Sequence, residues 1–132
     1  MTEKKFNDLL LEINDNIHFR KLYSSVFKEL EDKENLSILE FGVSEQAMTT
    51  KIFLEICRRK KGNLYSIDII DYSKKFEDKN WNFIQCRDDE FNKIEQLIPK
   101  KLDIIFLDTL HNPKHVEKIL YYYYKKLKKN GF

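Results

Sequence analysis

Cysteine is scarce in this sequence. Cys57 and Cys86 are the only two in 132 residues. They make neither a metal-ligand spacing nor a disulfide framework, and each reads as a small buried apolar side chain. No signal-peptide pattern and no long apolar run is present. The expectation is therefore a cytoplasmic location with no membrane partner. An excess of one charge is missing as well. With 24 basic and 22 acidic residues, the formal net charge is +2. Nothing in that balance attracts polyanions in general, so no nucleic-acid partner is expected. Glycine is rare too, at three residues, and Gly42 is the first of them.

What is present is a globular composition. The charged fraction is 35%, but 42% hydrophobic and 14% aromatic residues argue against disorder. The length suits one domain and is too short for two. Such a chain can bury roughly two-thirds of its unfolded surface.

The stretch that organises the rest runs from Ser37 to Lys51. Ile38 to Phe41 reads as a short buried strand, Gly42 as a turn, and about Ala47 to Arg59 as a helix with Ile52, Phe53 and Ile56 on one side. A strand that turns at glycine into a helix N-terminus suits a nucleotide-like ligand: glycine lets the backbone come close, and the first N–H groups of the helix are free. An ionised carboxylate is costly in an apolar core, so Glu40 is expected to face the crevice. Gly62 stands where a left-handed cap residue would end the helix, and Arg58 to Lys61 suit its dipole.

Before this stretch, the spacing of Phe6, Leu9, Leu10 and Ile13, and then of Phe19 to Leu30, predicts two helices. After it, strands are expected over Asn63 to Ile70 (ending near Asp68), Trp81 to Cys86 and Leu102 to Leu107. Helices are expected from Asp88 and Asp89 to Ile98, and from His115 to Lys129, with Thr109 to Lys114 as a loop and Gly131 as the final cap. Of the four consecutive tyrosines, Tyr121 to Tyr124, one or two must be exposed. Strands alternating with helices imply a parallel sheet covered on both faces, with the ligand beyond the carboxyl ends of the strands. Acidic residues stand at or just past every one of those ends: Glu40, Asp68, Asp88 and Asp108. They are the main functional signal.

These segments resemble class I S-adenosylmethionine-dependent methyltransferases, over Leu36 to Phe132. Ile38-Leu-Glu-Phe-Gly-Val, Leu64-Tyr-Ser-Ile-Asp68, Phe83-Ile-Gln-Cys-Arg-Asp88 and Asp103-Ile-Ile-Phe-Leu-Asp108 look like that family's first four motifs. A dinucleotide-binding domain wants three glycines after the first strand, and only Gly42 is here. The resemblance implies a Rossmann-like three-layer α/β/α fold with an incomplete parallel sheet of about four strands. Residues 1–35 would form an N-terminal helical cap, and residues 36–132 the cofactor-binding domain. It implies S-adenosylmethionine held by Glu40, Gly42, Ser44, Asp68 and Asp88, with Asp68 on the ribose hydroxyls and Asp88 near the adenine. The Asp-x-x-His at Asp108 to His111 is similar to the catechol O-methyltransferase and cephalosporin-hydroxylase-like branch. There Asp108 and His111 would be catalytic, and Asp108 would help hold a divalent metal such as Mg²⁺.

Bland readings stand beside these. Asp108 either serves the site or caps its own loop, and His111 is either a base or a surface residue. His18 and His115 read as residues without a site role. The activity implied is O-methyl transfer to a small molecule or sugar. The alternative is a truncated, non-catalytic cofactor-binding or interaction module, because the chain stops where a fifth strand begins in this family. With no fifth strand, Leu102 to Leu107 would be an open edge with nothing to blunt it, and a homodimer is expected.

Overall fold

The computed structural model describes residues 29–30, 32–108, 112–129 and 131. The two N-terminal helices expected from the sequence lie almost wholly outside this set. The elements run β1 (Ser37–Phe41), α1 (Met48–Lys60), β2 (Asn63–Asp68), β3 (Trp81–Gln85), α2 (Phe91–Leu97), β4 (Ile104–Leu107) and α3 (Pro113–Tyr123), with a 3₁₀ turn at Tyr124–Lys126. The four strands form one parallel sheet in the order β3-β2-β1-β4. This is the three-layer α/β arrangement expected of strands alternating with helices.

Alternation along β1 divides the core. Ile38 packs with Ile52, Phe53 and Ile56 of α1, and with Leu64 and Ile104. Leu39 and Phe41 point the other way, into Ile67, Ile84, Ile94 of α2, and Ile119 and Tyr123 of α3. Both faces of β1 are covered, so the strand reads as a continuous apolar run broken only by Glu40. The chain winds from β1 outward to β3, then crosses back to place β4 on the other side of β1. The sheet's switch point, where α/β folds take their ligands, therefore lies between the ends of β1 and β4.

Several element ends differ from the sequence expectation. The left-handed residue after α1 is Lys61 (φ 54°), not Gly62. Gly62 is needed for another reason: a Cβ there would sit 2.6 Å from the Leu36 carbonyl oxygen. Helix α2 starts at Phe91, not at Asp88 and Asp89, because both aspartates are engaged elsewhere in the preceding turn. It stops at Leu97, with Ile98 extended ahead of Pro99, as a residue before proline prefers. Helix α3 begins two residues early, at Pro113. Asn112 caps it by accepting from the Lys114 and His115 backbone N–H groups. It ends well before Lys129, so Lys128 is no helix terminus; it donates to Asp103 Oδ2 at 3.0 Å. Of the four tyrosines, Tyr123 is buried while Tyr121 and Tyr124 are exposed.

The outer edge of β4 has no partner strand among the described residues. The residue two positions before β4 is not bare. The Leu102 N–H donates to the Lys126 carbonyl (2.7 Å) and the Lys128 N–H donates to the Leu102 carbonyl (2.9 Å). Leu127 thereby enters as a parallel bridge partner of Leu102.

Candidate functional site

The turn after β1 is tightly constrained. Gly42 adopts φ +97°, and a Cβ on it would fall 2.1 Å from the Asp108 carbonyl oxygen. Only glycine satisfies both demands. The Gly42 N–H donates to the Ile67 carbonyl (2.8 Å) and the Asp108 N–H donates to the Phe41 carbonyl (2.9 Å). The ends of β1, β2 and β4 are thus tied together at one spot. Two further residues of this turn, Ser44 (φ 67°) and Ala47 (φ 49°), are left-handed without being glycine. Such strained non-glycine positions concentrate at ligand sites.

Above the strand ends lies a cavity of about 410 Å³. Gly42, Asp68, Asp88 and Asp108 all line it, so four of the residues read from the sequence do converge. Asp68 closes β2. Its Oδ2 accepts the Val43 N–H at 2.9 Å and its Oδ1 accepts the Ile70 N–H at 3.0 Å. A carboxylate has about four acceptor positions, so capacity remains for ligand hydroxyls. Ile69 and Ile70 also line the cavity, and both are exposed, at 65% and 54%. Two exposed isoleucines beside a carboxylate offer an apolar platform at the rim of a polar site. The sequence did carry that signal, since the apolar run continues past the acid that ends β2.

Glu40 is a correction. It does not line the cavity; it is wholly buried beneath it, between β1, β2 and α1. The Thr50 hydroxyl donates to its carboxyl (2.8 Å to Oε2), as does the Ser66 hydroxyl (2.7 Å). Ser66 in turn accepts from the Trp81 indole N–H at 3.0 Å. Burial is the largest influence on the acid and pushes its pKa up from 4.5 to about 8, with Asp108 and Asp68 adding to the shift against the two hydroxyl bonds. The neutral, hydrogen-bonded acid escapes the cost that argued for the crevice. Ser44 does not line the cavity either. It is exposed, and its hydroxyl faces the Ala47 N–H at 3.4 Å. His111 lies outside the described residues.

His115 was passed over in the sequence and belongs to the site. It lines the cavity, and its Nε2 lies 2.8 Å from Asp88 Oδ1. Asn112-Pro113 is a helix-start signal that would have placed His115 in the first turn of α3, just past β4.

Asp88, Asp89 and His115 can each bring one ligand atom to within 4.8 Å of the others, and among the described residues theirs is the one such group of three. Asp89 is already paired with Arg87 at 3.0 Å. Asp108 is exposed and belongs to no such group. The described residues therefore do not fit a metal ion at Asp108.

No protein-family model matches this sequence, and no curated protein matches it. Solved structures do match in fold. MycE, a methyltransferase from the mycinamycin biosynthetic pathway in complex with Mg and SAH, gives a TM-score of 0.72 at 18% identity, over 96% of this chain and 37% of that one. A protein from Plasmodium falciparum described as a ribosomal RNA methyltransferase gives 0.55 at 19% identity, over 83% of this chain and 72% of that one. At such identities the likeness is one of fold. The chain has the parallel α/β fold of class I S-adenosylmethionine-dependent methyltransferases, and spans 37% of the length of the MycE chain.

Proposed function

We propose that this chain binds S-adenosylmethionine in the cavity above the strand ends, as the cofactor half of a methyltransferase acting on an oxygen of a small molecule or sugar. One observation carries the reading: Gly42, Asp68, Asp88 and Asp108, each at or just past the end of a different strand, line one cavity. The chemistry of the donor set suits that cofactor. Asp68 has acceptor capacity for ribose hydroxyls, Ile69 and Ile70 offer an apolar surface for a flat base, and Asp88 can accept from an exocyclic amino group. The acids around the β1–β4 switch suit a cation better than an anion. When bound, the sulfonium would supply an electrophilic methyl group: an acceptor oxygen would bond to its carbon as the C–S bond breaks, with a neutral thioether as the leaving group.

The chain's own contribution is alignment. Glu40, Thr50 and Ser66 brace the β1 end from below, and Asp68 fixes the turn above it. Asp108, exposed at the switch point, is positioned to receive a proton from an acceptor hydroxyl. No step is assigned to a metal, because Asp108 lacks partner ligands among the described residues. The complex of MycE with Mg and SAH supports the cofactor class on grounds of fold.

Thermal unfolding with S-adenosylhomocysteine, and separately with NAD⁺, tests the reading. A ligand at 100 times its Kd stabilises the folded state by about 2.7 kcal/mol. A rise with the first alone supports it; a rise with NAD⁺ alone overturns it.

A further inference from the structure

His115 and Asp88 come from different elements, 27 residues apart, and meet at the cavity wall. Both are held from behind. The Asn112 cap fixes the first turn of α3, accepting from the Lys114 N–H at 3.0 Å. The turn carrying Asp88 is closed by the Arg87 N–H donating to Glu90 Oε2 at 2.6 Å and the Glu90 N–H donating to the Arg87 carbonyl at 3.2 Å. Both side chains are largely shielded, with 19% of His115 and 10% of Asp88 exposed. A carboxylate can only accept, so the short contact requires the proton on Nε2 of the imidazole. That leaves Oδ1 occupied. Among the described residues Oδ2 receives no hydrogen bond, and it is the acceptor that Asp88 can offer to the cavity.

We propose that His115 is a positioning residue that makes the base subsite selective: by holding Asp88 Oδ1 it presents a fixed acceptor, which suits a purine with an exocyclic amino group and rejects one with an exocyclic oxygen. This rests on the cofactor reading above and adds the residue that sets its base specificity. The purine's amino group donates to Oδ2, whereas a 6-oxo purine sets two acceptors against each other. A hydrogen bond to a charged group contributes about 1.5–3 kcal/mol, so the expected preference is on the order of 10- to 100-fold.

The test compares the affinities of S-adenosylhomocysteine and S-inosylhomocysteine. Wild type should prefer the adenine compound by at least about tenfold. His115→Leu should bring the ratio close to one, and His115→Gln, which restores an N–H donor, should recover most of it. A merely structural role would weaken both ligands equally in His115→Leu and leave the ratio unchanged, which overturns the proposal. Should His115→Leu fail to fold, Asp88→Asn carries the test with His115 intact. His115 would hold the new amide oxygen, the amide NH₂ would face the cavity, and the preference should invert towards the inosine compound. Equal affinity of that variant for both compounds overturns the proposal. Failure of folded wild type to bind either compound would overturn the cofactor reading itself, a separate result from a lost ratio.

Discussion

Asp68 and Val43 are joined by a hydrogen bond of 2.9 Å between the carboxylate at the end of β2 and a backbone N–H in the turn after β1. The same carboxylate receives the Ile70 N–H at 3.0 Å. An acid placed to meet a ligand therefore also shapes the loop that would cradle it. Asp68→Ala should destabilise the fold by about 1–3 kcal/mol, since hydrogen bonds to a charged acceptor are among the stronger ones. Urea unfolding measures this, and an unchanged midpoint would contradict the bracing role.

The strands were legible because each is a short segment rich in apolar residues with an acid at or near its end, and alternation of strand and helix sufficed for the parallel sheet. What escaped was long-range complementation. Glu40 shares the Ile38 side of β1 by simple alternation, but its burial depends on Thr50 and on Ser66, 26 residues away. No local pattern announces that pair of hydroxyls. Asp88 was readable as a strand-end acid, whereas its partner His115 was not, because the pairing needs the crossover that brings α3 over the end of β3. The Asn112-Pro113 start of α3 was visible and was outweighed by the apolar spacing from His115 onward.

Glu40 makes stability depend on pH. Below about pH 4.5 the acid is protonated in both states. Between 4.5 and about 8 the unfolded chain has released the proton while the folded chain keeps it. The unfolded state then binds fewer protons, so this group's contribution to stability falls as pH rises, by at most ~1.4 kcal/mol per pH unit, and levels off above the folded pKa. Glu40→Gln should flatten the stability profile between pH 5 and 8. Parallel profiles for the two proteins would show that the acid does not retain its proton on folding.

Ser44 is exposed and left-handed at φ 67°. Glycine there relieves a cost of about 1 kcal/mol, partly offset by the freer unfolded chain. Ser44→Gly should raise the melting temperature by about 2–4 °C, read by calorimetric unfolding. A lower melting temperature would mean that the weak Ser44 contact with the Ala47 N–H matters more than the backbone strain.

We propose that the 132-residue chain self-associates. Beyond Leu102 the outer edge of β4 has no partner strand among the described residues, and Leu120, Tyr121 and Tyr124 are exposed on the neighbouring helix and turn. An unpaired apolar edge invites pairing with another chain. Light scattering coupled to size exclusion should give a mass that rises with concentration. A sharp monomer peak over a wide range would contradict this.

The most direct test of the cofactor site is isothermal calorimetry with S-adenosylhomocysteine on the folded chain. One site per chain is expected, weakened at least tenfold in Asp68→Ala under conditions where the variant is still folded, because the ribose hydroxyls lose a charged acceptor. No binding by folded wild type, or equal affinity in the Asp68→Ala variant, would contradict the assignment of this cavity to the cofactor.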